Sequence, residues 1–226
     1  MSIFGNPIQK TTTTYTTDQH PITVETFFPQ TNGTRAHPAV IALHGSGGLR
    51  EGWAEAPASL LAARGFAVFV VHYFERTGTV WADDRSAREN FEKWMKTISD
   101  AVTFVGTQPG VDGQRVGLLG FSLGAYLALS VAVIDPRVRA VVDYFGGLPQ
   151  ELIERARQLP PVLVLHGEKD VVVPVSEARK LEQLFQQTGT SYEIKLYPGA
   201  GHGFFGLEML DAGQRTLKFL ERNLHG

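Results

Sequence analysis

The sequence predicts an α/β fold in which one mostly parallel β-sheet carries helices on both faces. Two patterns lead to that expectation. From residue 38 onward, apolar residues come in short unbroken runs, Ala39–Leu43, Phe66–Val71, Val116–Leu119, Ala140–Asp143 and Val162–Leu165. Strands buried on both faces require such runs. Between them lie stretches whose apolar residues recur every 3.6 positions, so strand and helix alternate. No repeat, low-complexity tract or linker interrupts the alternation, and 226 residues suit a single domain over 1–226.

The elements follow in order. Residues 1–30 read as an antiparallel prelude. Ile22, Val24, Thr26 and Phe28 alternate as in a half-buried strand, and TTTTYTT before them offers a hairpin partner. Residues 54–64 are rich in alanine and leucine and read as the first helix. Ala87, Phe91, Trp94, Met95, Ile98, Val102 and Val105 mark a longer one, with Asp83 or Asp84 as its cap. Ala178, Leu181, Leu184 and Phe185 mark a helix entered by Pro174. The alternating run Tyr192–Leu196 reads as an edge strand, and Leu207, Leu210, Leu217, Leu220 and Leu224 as the inner face of the last helix. Between Asp143 and Val162 there is room for one short helix, Gln150 to Arg157, and two turns. An inserted lid would not fit there, so a cleft open to water is expected.

Bulk composition narrows the function classes. The chain is 43% hydrophobic and 19% charged, with a formal net charge of −2 and no block of like charges. Nucleic acid and an anionic membrane surface are therefore not expected partners. The absence of cysteine rules out disulfides, thiolate metal sites and a cysteine nucleophile. No apolar stretch approaches eighteen residues and no basic-then-apolar leader opens the chain, so a soluble cytoplasmic protein is expected, monomeric or dimeric.

In sheets of this kind, ligands bind beyond the carboxyl ends of the strands. After Val116–Leu119 comes GFSLG, residues 120–124, followed by the apolar helix AYLALSVAV. A serine in a strand–turn–helix setting needs glycines two before and two after it, because side chains there would collide. Ser122 is thus the candidate nucleophile. A serine hydroxyl needs a base, and the base needs an orienting acid, in the chain order serine, acid, histidine. HGEKDVVVP follows Val162–Leu165 and offers Glu168 and Asp170, and YPGAGHGFF follows Tyr192–Leu196 and offers His202. Asp170 also fits a cap for the helix near Pro174, and His202 a solvated loop residue.

HGSGGLR, residues 44–50, follows Ala39–Leu43. Its glycines bring a ligand close to bare backbone, either a phosphate or an oxyanion formed during reaction. A P-loop lysine and the GxGxxG spacing are both missing. An oxyanion hole from the N–H groups of Leu123 and of Ser46 or Gly45 is the better fit. His44 suits either a loop-fixing or a buried structural role. Tyr73 and Trp81, near the end of the second core run, are candidates to line the substrate pocket or simply to pack. Histidines end several strands, but neither His-x-His nor His-x-x-Glu-His spacing is present, so neither a metal nor another cofactor is called for.

GFSLG, HGEKDVVVP and YPGAGHGF, in this order, resemble the dienelactone hydrolase family of α/β-hydrolases from about residue 20 onward. That resemblance implies an α/β-hydrolase fold, with Asp170 as the acid in Gly-x-x-Asp-x-x-x-Pro and His202 as the base in Gly-x-x-His-Gly-Phe. It also implies a cysteine nucleophile with a nearby glutamate, where this chain has Ser122 and Gly45. Of the two arginines that clamp a substrate carboxylate in the namesake, Arg76 matches one, and GFFGLEML after His202 holds no second. The expectation is a serine hydrolase acting on small neutral esters or lactones through an acyl-enzyme. A non-catalytic binding protein, an acyltransferase and a peptidase are the alternatives.

Overall fold

The computed structural model describes residues 7–30, 36–49 and 54–225. Arg50, the last residue of HGSGGLR, and the first six residues of the expected antiparallel prelude lie outside them. The strands are β1 (Ile8–Thr17), β2 (His20–Pro29), β3 (His37–Leu43), β4 (Ala67–Val71), β5 (Val111–Phe121), β6 (Val138–Tyr144), β7 (Val162–Gly167) and β8 (Tyr192–Tyr197). They form one sheet in the order β1-β2-β4-β3-β5-β6-β7-β8. β1 pairs antiparallel with β2, β2 antiparallel with β4, and every later pairing is parallel.

Burial explains the unbroken apolar runs. In β3, Ala39, Ile41 and Leu43 enter one core layer while Val40 and Ala42 enter the other. β4 divides likewise, with Ala67, Phe69 and Val71 against Val68 and Val70. The first layer is closed by α2 (Asp84–Gly106), α3 (Leu123–Ile134) and α5 (Ser176–Thr188), the second by α1 (Glu55–Ala63) and α6 (Gly206–Leu224). At the start of α2, Asp83 and Ser86 form a reciprocal capping box.

Two expectations need correction. Leu207 and Leu210 are 84% and 58% exposed, because the buried stripe of α6 begins later and runs through Ala212, Thr216, Phe219, Leu220 and Leu224. Phe28 packs, partly buried, against the same layer as Ile22 and Val24, and Phe27 on the opposite face is also buried, beneath α1. The short helix expected over Gln150 to Arg157 between β6 and β7 ends after four residues, as α4 (Gln150–Ile153). Among the described residues no helix is long and apolar enough to cross a membrane.

Candidate active site

The turn from β5 into α3 sets the position of Ser122. Its backbone sits at φ +53°, ψ −120°, a region non-glycine residues occupy at a cost of about 1–3 kcal/mol. The turn is pinned from below by Ser122 N–H donating to the Tyr144 carbonyl at 2.9 Å, and from above by Ala125 N–H donating to the Ser122 carbonyl at 2.8 Å. The flanking glycines are sterically required. A Cβ at Gly120 would collide with the Gly124 carbonyl, and one at Gly124 with the carbonyls of Leu43 and His44.

The same logic brings His202 and Asp170 together. A Cβ at Gly167 would collide with the Ala200 and Gly201 carbonyls, so glycine there lets the loop after β8 close over the end of β7. Lys169 N–H then donates to the Ala200 carbonyl at 2.9 Å. From this loop His202 reaches Ser122 Oγ with Nε2 at 2.9 Å and Asp170 Oδ2 with Nδ1 at 2.7 Å. The Asp170 side chain is fully buried, and its Oδ1 accepts from the backbone N–H of Val172 and Val173, each at 2.9 Å. Both oxygens that this burial strips of water thus have a hydrogen-bond partner. Glu168 is exposed. Asp170 does not cap α5, whose N-cap is Val175.

Backbone donors lie beside the serine. Gly45 abuts the turn so closely that a Cβ there would lie 3.2 Å from Ser122 Cβ. Ser46 follows in a turn closed by Gly48 N–H on the Gly45 carbonyl at 3.1 Å, and its own carbonyl accepts from Ala82 N–H at 2.9 Å. Leu123 is the first residue of α3, where backbone N–H groups have no intrahelical partner.

Other expected site residues are placed elsewhere. Tyr73 is fully buried with its hydroxyl donated to the His44 carbonyl at 2.7 Å, so it braces the β3 end instead of lining a pocket. His44 stacks on Tyr73 at 4.2 Å, donates from Nδ1 to the Gly45 carbonyl at 2.8 Å, and has its pKa pushed down by burial to about 4. It fixes the loop from inside as a neutral ring. Arg76 points to the β1–β2 hairpin, donating to Asp18 Oδ2 at 3.1 Å and meeting the His20 ring at 3.2 Å, so it is not free to hold a substrate carboxylate. Trp81 alone of this set is exposed, at 64%. Of the remaining strand-end histidines, His72 meets Glu25 at 3.1 Å and His166 the Val173 carbonyl at 2.9 Å.

Two residues of the DYFGG segment at the end of β6 escaped sequence reasoning. Phe145 stands at φ +45° with its ring 4.8 Å from that of His202, packed between Phe121 and Phe204. Asp143 is fully buried; Oδ1 accepts from Gly146 N–H at 2.7 Å, Oδ2 has no partner among the described residues, and burial raises its pKa to about 7. The paired glycines were the available signal, since a Cβ at Gly146 would collide with Ala125.

With this geometry, a family model described as the dienelactone hydrolase family matches residues 24–212. A carboxymethylenebutenolidase homolog of Xenopus tropicalis is 23% identical over 174 residues, covering 73% of this chain and 69% of that protein. Acyl-coenzyme A thioesterase 5 of Mus musculus is 40% identical over 114 residues, covering 50% and 25% respectively. The chain spans less than two thirds of the length of most curated relatives it matches. Among solved structures, a dienelactone hydrolase-like promiscuous phosphotriesterase from metagenomic libraries matches with a TM-score of 0.82 at 18% identity, over 96% of this chain and 98% of that one. The acylaminoacyl peptidase of Pyrococcus horikoshii matches with a TM-score of 0.81 at 14% identity, over 96% and 42%. At such identities these two likenesses carry the fold alone.

Proposed function

The chain belongs to the dienelactone hydrolase family, and from that premise we propose that it is a serine hydrolase cleaving small carboxylic esters or lactones through an acyl-enzyme. The observation that carries this reading is the unbroken chain of hydrogen bonds from Ser122 Oγ through His202 to the buried Asp170. His202 Nε2 takes the Ser122 proton as Oγ attacks the ester carbon, while Nδ1–H on Asp170 Oδ2 holds the imidazole in the required tautomer. The negative charge on the former carbonyl oxygen is met by the Leu123 N–H and by that of Ser46 or Gly45. His202 then gives its proton to the leaving alkoxide. Water, deprotonated by the same imidazole, attacks the acyl carbon; the bond to Oγ breaks, His202 returns the proton to Oγ, and the acid and Ser122 are freed.

Replacing the nucleophile tests the reading. Ser122→Ala should lose at least about 10³-fold in ester turnover with the fold intact, since only oxyanion stabilisation and binding would remain. Near-parent turnover in the purified, folded variant would refute it. The substrates are proposed to be small neutral molecules, because Arg76 is already engaged by Asp18.

A further inference from the structure

Ten large apolar side chains stand exposed among the described residues, and all but Leu60 and Ile134 belong to three segments at the carboxyl edge of the sheet. Val80 and Trp81 are 84% and 64% exposed, Val171 and Val172 91% and 64%, Phe205 and Leu207 82% and 84%. Met209 and Leu210 extend the last group. Exposed apolar residues scattered singly need no explanation, but their concentration around one site does.

Each segment is tied to a different part of the catalytic group. A Cβ at Gly48 would collide with the Val80 carbonyl, and Ala82 N–H donates to the Ser46 carbonyl at 2.9 Å, so the first segment rides on the candidate oxyanion loop. Val172 N–H donates to Asp170 Oδ1 at 2.9 Å. The Phe205 ring lies against Gly203, the residue after His202, where a Cβ would be 3.8 Å from it. These segments follow different strands, and each is joined to a different member of the catalytic group. Their shared neighbour is thus the reaction site, which argues for substrate rather than for a partner protein on one flank. Charge points the same way, because Arg76 is held by Asp18 and His20.

We infer that the site takes a neutral ester or lactone whose apolar substituent lies on a collar formed by Val80, Trp81, Val171, Val172, Phe205 and Leu207. The inference rests on the serine-hydrolase reading and adds a substrate class to it. Contact with the collar strips water from whatever lies there. A methyl or ring gains from that loss, whereas a carboxylate forfeits hydration.

The test uses two matched pairs: phenyl butyrate against the phenyl hemiester of succinic acid, and phenyl acetate against 3-carboxyphenyl acetate. Each kcat/KM is normalised to spontaneous hydrolysis. The parent chain should favour the uncharged member of at least one pair by about tenfold or more. Val171→Lys and Phe205→Lys place a cation at exposed collar positions, and either should shift that preference toward the carboxylated member by about threefold or more. No preference in either pair, or a preference that neither substitution moves, would overturn the collar. A change in sedimentation on substitution with preference unmoved would overturn it in favour of a second copy of the chain. Labelling of Ser122 by a small fluorophosphonate separates the two failures. A labelled chain without preference loses the collar alone, and an unlabelled chain loses the hydrolase reading with it.

Discussion

At the scale of single residues, Ser122 and Phe145 both hold positive φ, at +53° and +45°, and both meet His202. Strain of this kind persists where surrounding contacts over-determine the backbone. For Ser122 the contacts are the Tyr144 carbonyl and the first turn of α3, and for Phe145 the bond from its N–H to the Leu165 carbonyl at 2.8 Å. Ser122 was legible in the sequence because GFSLG sits between a buried strand and a buried helix. Phe145 was not, since nothing local marks a phenylalanine as left-handed. The placement of Tyr73 and Arg76 was not legible for a related reason. A side chain just past a strand end turns either into the core or toward the mouth, and only the packed neighbours decide which. The two carboxyls after β7 give a sharper test. Asp170→Asn should lower kcat by about 10³- to 10⁴-fold by leaving the imidazole in the wrong tautomer. Glu168→Gln, at an exposed position, should stay within about twofold of the parent. Steady-state rates on one aryl ester check this, and the reverse ranking would move the acid two residues toward the strand.

At the scale of elements, two helical glycines predict opposite outcomes. Gly124 in the first turn of α3 lies against the end of β3, where an added Cβ meets the Leu43 and His44 carbonyls. Gly124→Ala should therefore cost roughly 1–3 kcal/mol or more and shift Ser122 away from His202. Gly213 lies within α6, exposed, with nothing near an added Cβ. Gly213→Ala should stabilise by about 0.5–1 kcal/mol through helix propensity alone. Urea midpoints measure both, and a Gly124→Ala midpoint equal to the parent's would contradict the packing argument. The strands were legible at this scale because burial on both faces leaves unbroken apolar runs. The face of α6 was less so. Five leucines at helical spacing announced an inner face, but Leu207 and Leu210 precede the part of α6 that buries its stripe. Their exposure, read together with Val171, Val172 and Phe205, is what first marks a collar.

At the scale of the whole molecule, buried titratable groups couple stability to pH with opposing signs. Asp143 binds a proton more tightly in the fold than in the open chain, since burial raises its pKa from 3.8 to about 7. Between those values the native state holds more protons, so this carboxyl lowers stability as pH rises and is without further effect above about 7. The loss is up to about 4 kcal/mol. His44 and His166, both lowered by burial, act in reverse: their contribution is present above the ordinary histidine value and fades as pH falls through the folded one. Comparing the parent with Asp143→Asn isolates the first effect. The variant's advantage in denaturation free energy should grow from pH 4 to 7 and then level, whereas a constant difference would mean that Asp143 is not held neutral. The mostly parallel sheet, the site at the carboxyl ends of its strands and the three residues joined there were legible because the alternation of strand and helix imposes them together. The buried Asp143 was not, since a carboxyl ending a strand run gives no sign of whether water reaches it. All of this converges on one covalent species. An aryl ester mixed with the parent chain and quenched in acid within milliseconds should leave the peptide bearing Ser122 heavier by one acyl group, with a matching burst of phenol. Turnover without that adduct, or an adduct on another residue, would contradict Ser122 as the nucleophile.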